Sequence, residues 1–184
     1  NTPSELVTDS KIYGIEKVGI SCLSGISTRE QNDLIYRAMQ EYPEVIEGYA
    51  FINPKDAAAE NEIDLCLGTY GMSAVKFHSW KHGYYPDNSG SLDRLLDKID
   101  SYGVHVQTYV GTAPISNPYV WAEYAKKHPH VRFVFTHIGY YEFGMSTIEA
   151  VKDLPNVWVE TSGQMDVEVL KKAIAVLGSK RVCF

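Results

Sequence analysis

The sequence predicts an α/β fold, and more specifically an incomplete TIM (β/α)8 barrel with about seven βα units. Short apolar runs alternate with helical segments, and the runs start about every 24 to 30 residues along the chain. Such alternation produces parallel strands joined by right-handed crossovers. Polar residues follow successive runs, and no glycine-rich phosphate loop follows the first run, which favours a barrel over a doubly wound sheet. We therefore expect residues 1–184 to form a single barrel domain of a longer chain.

The predicted helices are recognised from their capping residues. Thr2 and Gly14 are expected to bound the first helix, and Ser91 is expected to cap the helix that starts at 92. Thr28 and Gln31 have the spacing of a capping box at the start of the second helix. The predicted helices span 3–13, 29–42, 55–67, 92–102, 118–128, a segment that follows Ser146, and 167–177.

The predicted strands are the apolar runs themselves. Strands that are buried between a barrel core and a layer of helices have near-continuous apolar sequences. These runs are 18–23, 48–52, 74–78, 104–110, 132–136, 157–161 and 181–184. The last run opens a seventh strand, so we expect an incomplete barrel with exposed strand edges.

Composition narrows the classes of function. The net charge of -6 argues against a nucleic-acid partner, because such proteins usually carry a basic surface. No apolar stretch approaches the roughly 20 residues of a membrane-spanning helix. Three widely spaced cysteines predict free thiols in a reducing compartment. We therefore expect a cytoplasmic protein that acts on a small molecule.

Polar side chains at the carboxyl ends of the strands predict a functional site, because the chemistry of barrel enzymes lies at that end. Two of these strands carry a pair of polar residues two positions apart, which places both on one face. A buried strand has little reason to carry such groups unless they line a cavity. The candidate catalytic residues are His137, His78 and Tyr109, and the candidate substrate-binding residues are Lys76, Gln107, Glu160 and Trp80.

Several of these candidates also have a purely structural explanation. Lys76 could form a buried ion pair with Glu160, His78 could bond a loop carbonyl, and Tyr109 could be a core aromatic residue. His137 has the strongest claim to a functional role. It directly follows an apolar run and precedes a glycine-containing turn, which is where a barrel enzyme places a catalytic histidine.

Residues 79–91 are expected to form a long loop beside the site. The loop contains Trp80, Tyr84 and Tyr85, and also His82. Aromatic side chains in such a loop predict contacts to the substrate.

Short segments taken in order match a known family. They are 2–6 with 14–18, 42–43 with 48–54, 74–78, 111–114, 128–129 with 133–139, 157–163 and 180–184. In these segments the chain resembles the amidohydrolase-related branch of the amidohydrolase superfamily. That branch includes aminocarboxymuconate semialdehyde decarboxylase, resorcylate-type decarboxylases and pyrone dicarboxylate lactonase. The resemblance implies a TIM-barrel enzyme.

The resemblance also implies metal ligands. The family's first strand carries a His-x-His pair and its last strand continues into Gly-Ser-Asp, and both are expected to lie outside residues 1–184. The family's strand equivalent to 104–110 usually ends in a histidine ligand, where this chain has Tyr109. Zinc is therefore a possible but disfavoured cofactor, with His137 as its ligand if a metal is present.

The resemblance and the site residues together predict a hydrolase that opens a small carboxylated ester or lactone with activated water. In this interpretation His137 polarises the reacting carbonyl, Lys76 and His78 hold an anionic group, and Tyr109 orients the substrate. One alternative is a zinc-dependent decarboxylase or amide hydrolase of the same superfamily. Another is a non-catalytic barrel or binding module, and a homo-oligomer is possible.

Overall fold

The computed structural model describes residues 2–86 and 90–184, and its seven strands form one parallel sheet. Each strand pairs with the next in sequence, and helices connect them, so that the sheet curls into a half-barrel. This arrangement confirms the α/β class and the incomplete barrel. The strands are β1 Val18–Ile20, β2 Ile46–Phe51, β3 Ala74–Phe77, β4 His105–Tyr109, β5 Phe133–Thr136, β6 Val157–Glu160 and β7 Val182–Cys183.

The helices lie between these strands. In chain order the α-helices are α1 Pro3–Tyr13, α2 Thr28–Glu41, α3 Ala59–Ile63, α4 Ser79–His82, α5 Leu92–Ser101, α6 Pro118–Lys127, α7 Tyr140–Val151 and α8 Val167–Leu177. The predicted helix 55–67 begins later than expected, and it continues from α3 as a π-helical segment, Asp64–Thr69. The first strand is shorter than the predicted 18–23.

The strand register separates an apolar face from a polar one. Val75 and Phe77 on β3 are completely buried in the main core, as are Val106 on β4 and the two phenylalanines of β5. The alternate positions face the other way. On that second face Lys76 lies between Phe51 and Gln107 in the register of the sheet. The polar residues predicted from the sequence thus share one face of the half-barrel.

Near the start of the chain, the structure confirms one predicted helix cap and corrects another. Thr2 does cap α1, where its side chain accepts from the amide of the third helical residue in a capping box. The predicted capping box of Thr28 and Gln31 is wrong, because Thr28 already belongs to α2. The cap is Ser27, whose Oγ accepts from the amide of Glu30 at 3.2 Å.

The segment 79–91 was expected to be a loop, and it instead begins with the short helix α4. Residues 87–89 lie outside the described residues. Ser91 does not cap α5 with its side chain, and its hydroxyl donates to the carbonyl of Pro54 at 2.7 Å. This bond ties the start of α5 to the turn that follows β2.

The three cysteines are unpaired, as predicted. Cys66 is buried in the core, while Cys22 and Cys183 are partly buried. None of the helices in the described residues has the length and apolar character needed to cross a membrane.

A buried asparagine completes the hydrogen bonding of β2 beyond the point where β1 ends. The β1 pairing stops at Gly48, and the side chain of Asn32 bonds both the amide and the carbonyl of Phe51, at 2.8 and 3.1 Å. Asn32 also donates to Glu62 at 2.8 Å, and it is fully buried. The side-chain amide of Asn32 therefore makes the hydrogen bonds to Phe51 that a neighbouring strand would otherwise make.

Replacing Asn32 by Ala should lower the free energy of unfolding by about 2–4 kcal/mol, because it leaves buried polar groups without partners. Urea unfolding of the two proteins measures this difference. Asn61 is exposed on α3, and Asn61→Ala should change stability by no more than about 0.5 kcal/mol. Equal effects of the two substitutions would show that Asn32 does not complete the sheet.

Candidate active site

Lys76 is the buried cation of the site. It is 6% exposed, and within residues 2–86 and 90–184 its ammonium group has no hydrogen-bond or ion-pair partner. Burial lowers the pKa of Lys76 to about 8, although the charge of Glu160 opposes the shift. The direct ion pair with Glu160 is therefore not formed. A buried ammonium group without an acceptor is unfavourable, so an anionic ligand would stabilise it.

Aromatic rings cluster at the end of the strand that carries this cation, and burial and then the charge of Lys76 lower the pKa of one of them, His78. His78, two residues further along on the same face, stacks on Tyr109 with ring centroids 4.1 Å apart and planes 13° apart. Trp80 and Tyr140 lie 6.2 and 6.1 Å from the Tyr109 ring. Tyr109 is 5% exposed and Trp80 is 55% exposed. The site therefore combines a buried positive charge with aromatic walls.

His78 is held in one neutral form. Its Nδ1 accepts a hydrogen bond from the backbone amide of Lys81 at 3.3 Å, which also caps α4. Burial and then the charge of Lys76 lower the pKa of His78 to about 3. Because Nδ1 carries the lone pair, the neutral ring bears its proton on Nε2. His78 can therefore donate one hydrogen bond to a ligand without carrying a charge.

His137 is held in the opposite form. Its Nδ1 lies 2.8 Å from the carbonyl oxygen of Ser162 and 2.9 Å from the Ser162 hydroxyl. A carbonyl oxygen can only accept, so Nδ1 carries the proton and Nε2 carries the lone pair. Burial lowers the pKa of His137, an effect that the Ser162 bond opposes. The neutral ring thus accepts a proton at Nε2, and it donates there only when protonated.

Tyr109 and Gln107 occupy the polar face of β4. The Tyr109 hydroxyl donates to the Thr112 hydroxyl at 2.8 Å, and burial raises the pKa of Tyr109. Gln107 is partly buried, and it lies next to Lys76 in the strand register. Its side-chain amide has no hydrogen-bond partner in the described part of the chain. Gln107 is therefore open to a ligand.

Glu160 lies at the end of β6 and contacts the same histidine. It accepts from the amide of Ser162, from the Ser162 hydroxyl at 2.8 Å and from the amide of His137 at 3.3 Å. Its carboxylate is 3.9 Å from Nδ1 of His137. The structure thus brings the predicted residues together, with Glu160 bonded to protein groups. Ser162, which belongs to this cluster, was not singled out from the sequence.

Tyr140 is a second residue that sequence reasoning missed, because α7 was expected after Ser146 and begins at Tyr140. His137, Ile138 and Tyr140 have positive φ angles of 68, 42 and 51°, which are uncommon for residues other than glycine and most unfavourable for Ile138 and Tyr140. Such strain costs about 1–3 kcal/mol per residue and persists where surrounding packing enforces it, often at functional sites. The turn sets the Tyr140 ring 4.4 Å from that of His137.

Two glycines make room for the Tyr140 ring. A Cβ atom on Gly111 would lie 2.9 Å from Cδ2 of Tyr140, and one on Gly163 would lie 2.6 Å from its Cε1. The glycines that follow β4 and β6 in the sequence were the available signal that a large side chain packs there. Tyr140 is thus fixed between the ends of two strands.

Gly163→Ala should displace the Tyr140 ring and lower turnover, because the new methyl group overlaps that ring. The matched control is Gly103→Ala, since Gly103 has a similar φ of 67° against 73° and no neighbour within 4 Å of its Cβ position. Both variants should lose about 1–2 kcal/mol of stability from backbone strain. Only Gly163→Ala should also change turnover and the fluorescence of the site. Identical behaviour of the two variants would contradict a role for the Tyr140 position.

The described residues do not by themselves present a full set of metal ligands. Within 2–86 and 90–184 there is no group of three or more His, Cys, Asp or Glu side chains placed to hold a metal ion. Nδ1 of His78 and Nδ1 of His137 are both engaged with protein groups. Each histidine could offer a metal only Nε2. The described residues by themselves therefore do not assemble a metal centre of the kind that the resemblance implies.

The amidohydrolase family model Amidohydro_2 matches residues 3–184. A search of curated protein sequences found no match. Among solved structures, 2,6-dihydroxybenzoate decarboxylase from Rhizobium has a TM-score of 0.74 at 14% identity, covering 99% of this chain and 76% of that chain. A 5-carboxyvanillate decarboxylase from Novosphingobium aromaticivorans, complexed with manganese and a nitrobenzoic acid, has a TM-score of 0.71 at 17% identity, covering 97% and 68%.

A third structure is 4-oxalomesaconate hydratase from Rhodopseudomonas palustris, with a TM-score of 0.70 at 16% identity. The alignment covers 97% of this chain and 64% of the hydratase. At these sequence identities, the structural similarity establishes a shared fold. All three structures have the barrel architecture described above.

Proposed function

The chain belongs to the amidohydrolase family, and from that membership we propose that its site serves a decarboxylase of small aromatic carboxylic acids. The observation that carries this proposal is Lys76, a buried ammonium group that has no partner among the described residues. It lies on the strand face that leads to the stacked rings of His78 and Tyr109. A substrate carboxylate would neutralise Lys76, and a planar ring would pack against His78 and Tyr109.

The similar structures support the decarboxylase alternative over the ester or lactone hydrolase. Two of the three named above are described as decarboxylases of hydroxylated aromatic acids and one as a hydratase. None of the three is described as a lactonase. A hydrolase has one specific observation in its favour, namely Tyr109 at the strand end where the family is expected to have a histidine.

The two histidines can divide the proton transfer of a decarboxylation. Neutral His137 accepts the proton of a ring hydroxyl at Nε2 and returns it to the ring carbon that bears the carboxylate. The bond from that carbon to the carboxylate then breaks, its electron pair returns to the ring, and CO2 leaves. The ring oxygen is left as a phenolate, which takes a proton from water. His78, through its Nε2 proton, donates to the substrate oxygen.

Lys76 acts on the carboxylate rather than on the ring carbon. Its positive charge orients the acid group in the ground state, and that charge loses its partner when CO2 leaves. Metal ions are present in the manganese complex of the related decarboxylase. In this chain, His137, His78 and Lys76 carry out the proton transfers and the binding of the carboxylate.

The test uses the full protein that contains this chain, incubated in D2O with 2,6-dihydroxybenzoate and with 5-carboxyvanillate. The proposal predicts release of CO2 and one deuterium at the carbon that lost the carboxylate. An aromatic ester or lactone of the same acids serves as the competing substrate. Hydrolysis of that ester without release of CO2 from either acid would contradict the decarboxylase and support the hydrolase.

A further inference from the structure

The carboxylate of Glu160 is occupied by protein groups, although the sequence suggested that it would bind substrate. One oxygen accepts the amide of Ser162, and the other accepts the Ser162 hydroxyl and the amide of His137. The side chain is 16% exposed. A carboxylate that accepts three hydrogen bonds is held in one orientation. Glu160 is therefore fixed to the turn at Ser162 and to the strained backbone of His137.

Ser162 continues these contacts to the imidazole ring. Its hydroxyl donates to Glu160, so the hydroxyl oxygen keeps a lone pair that faces Nδ1 of His137 at 2.9 Å. Its carbonyl oxygen is also an acceptor for Nδ1, at 2.8 Å. Every donor in the cluster then has an acceptor: the His137 ring donates to Ser162, and Ser162 donates to Glu160. The reverse arrangement would place the Nδ1 lone pair against the carbonyl oxygen.

We propose that Glu160 and Ser162 are positioning residues, which hold the His137 ring in its Nδ1-protonated form so that Nε2 is free to accept a proton from substrate. Histidines that act through one nitrogen are commonly oriented by a bond to the other. The catalytic meaning of this arrangement rests on the proposed function. The form of the ring itself is a property of this chain, and it can be measured without substrate.

The experiment is long-range 1H–15N NMR of protein labelled with 15N-histidine, recorded at pH 8. A histidine whose pKa lies below its usual 6.5 is neutral there, so the spectrum reports which ring nitrogen carries the proton. The wild type should show His137 only as the Nδ1-protonated form. Glu160→Gln should show a mixture with the Nε2-protonated form. Turnover of any substrate that the wild type decarboxylates should fall about 10- to 100-fold with little change in KM.

Three further variants make the result specific. Ser162→Ala keeps the carbonyl oxygen that faces Nδ1 but removes the hydroxyl that fixes this turn to Glu160, so it should also give a mixture. Ser162→Thr, which keeps the hydroxyl, should retain the wild-type form. Glu168→Gln, on an exposed residue paired with Lys171, is the charge-matched control and should leave His137 unchanged. The ring remaining wholly Nδ1-protonated in folded Glu160→Gln and Ser162→Ala would overturn the proposal, and Ser162→Ala decides alone if Glu160→Gln does not fold.

The two proposals fail in different ways. If the wild type decarboxylates none of the aromatic acids, the proposed function fails while the NMR result still stands for the positioning residues. If decarboxylation occurs and the variants leave the ring form unchanged, the positioning roles fail and the proposed function stands.

Discussion

Replacing Lys76 by Met should abolish most of the turnover and at the same time make the folded protein more stable. The variant removes the only charge assigned to the substrate carboxylate, so kcat/KM should fall on the order of 100-fold or more. The pKa of Lys76 drops from 10.5 to about 8 on folding, which means that the charged form costs about 3 kcal/mol in the folded protein. A buried methionine avoids that cost.

The stability gain depends on pH in a defined direction. Below about pH 8 the lysine is protonated in both the folded and the unfolded protein, so the wild type carries the full cost. Between about pH 8 and pH 10.5 the unfolded chain holds a proton that the folded protein has released, so the stability of the wild type rises with pH. Urea unfolding at several pH values should therefore show the advantage of Lys76→Met shrinking across this range.

The control for Lys76→Met is Lys126→Met, on an exposed lysine of α6 outside the site. It should change neither kcat/KM nor the pH dependence of unfolding by a measurable amount. A loss of stability in Lys76→Met, combined with unchanged turnover, would mean that Lys76 has a protein partner and no role in binding.

His137→Asn should lower kcat by about 10²- to 10⁴-fold, the usual contribution of a general acid–base group. Asparagine is chosen because it tolerates the left-handed backbone that His137 adopts, with φ of 68°. KM should change little, because Lys76 still binds the carboxylate. Steady-state kinetics together with thermal unfolding separate this effect from misfolding.

His130→Asn is the corresponding control, since His130 is exposed in the turn before β5. It should retain wild-type turnover. If His137→Asn also retains turnover while folding normally, proton transfer does not pass through His137, and the proposed division between the two histidines is wrong.

The strands could be predicted from the sequence because a parallel sheet covered by helices requires continuous apolar runs. The same reasoning located His78, Tyr109 and His137, since alternation along a strand fixes which residues share a face. The proximity of Lys76 to Glu160 could not be resolved in this way. The same sequence is compatible with an ion pair and with an unpaired ammonium group near a carboxylate. Only the distance between the two groups distinguishes these arrangements.

The residues that sequence reasoning missed depend on contacts between distant segments. Tyr140 reaches the site through a left-handed turn that is unfavourable locally and is held by packing between Gly111 and Gly163. Ser162 sets the form of His137 through a contact across two strand ends. Helix propensity and hydrophobic periodicity depend on residues that are close in sequence. They therefore cannot reveal the position of Tyr140 or the contact of Ser162.

The role of Lys76 as the partner of a substrate carboxylate is tested by its pKa with and without an aromatic carboxylate, measured by NMR of protein labelled with 13C at the lysine ε carbon. We expect a pKa near 8 for Lys76 in the free protein. We also expect benzoate, which lacks the ring hydroxyl needed for decarboxylation and so is not consumed, to raise this pKa, because the bound carboxylate supplies the missing partner. A pKa near 10.5 in the free protein, or the same low pKa when the site is saturated with benzoate, would contradict this role of Lys76.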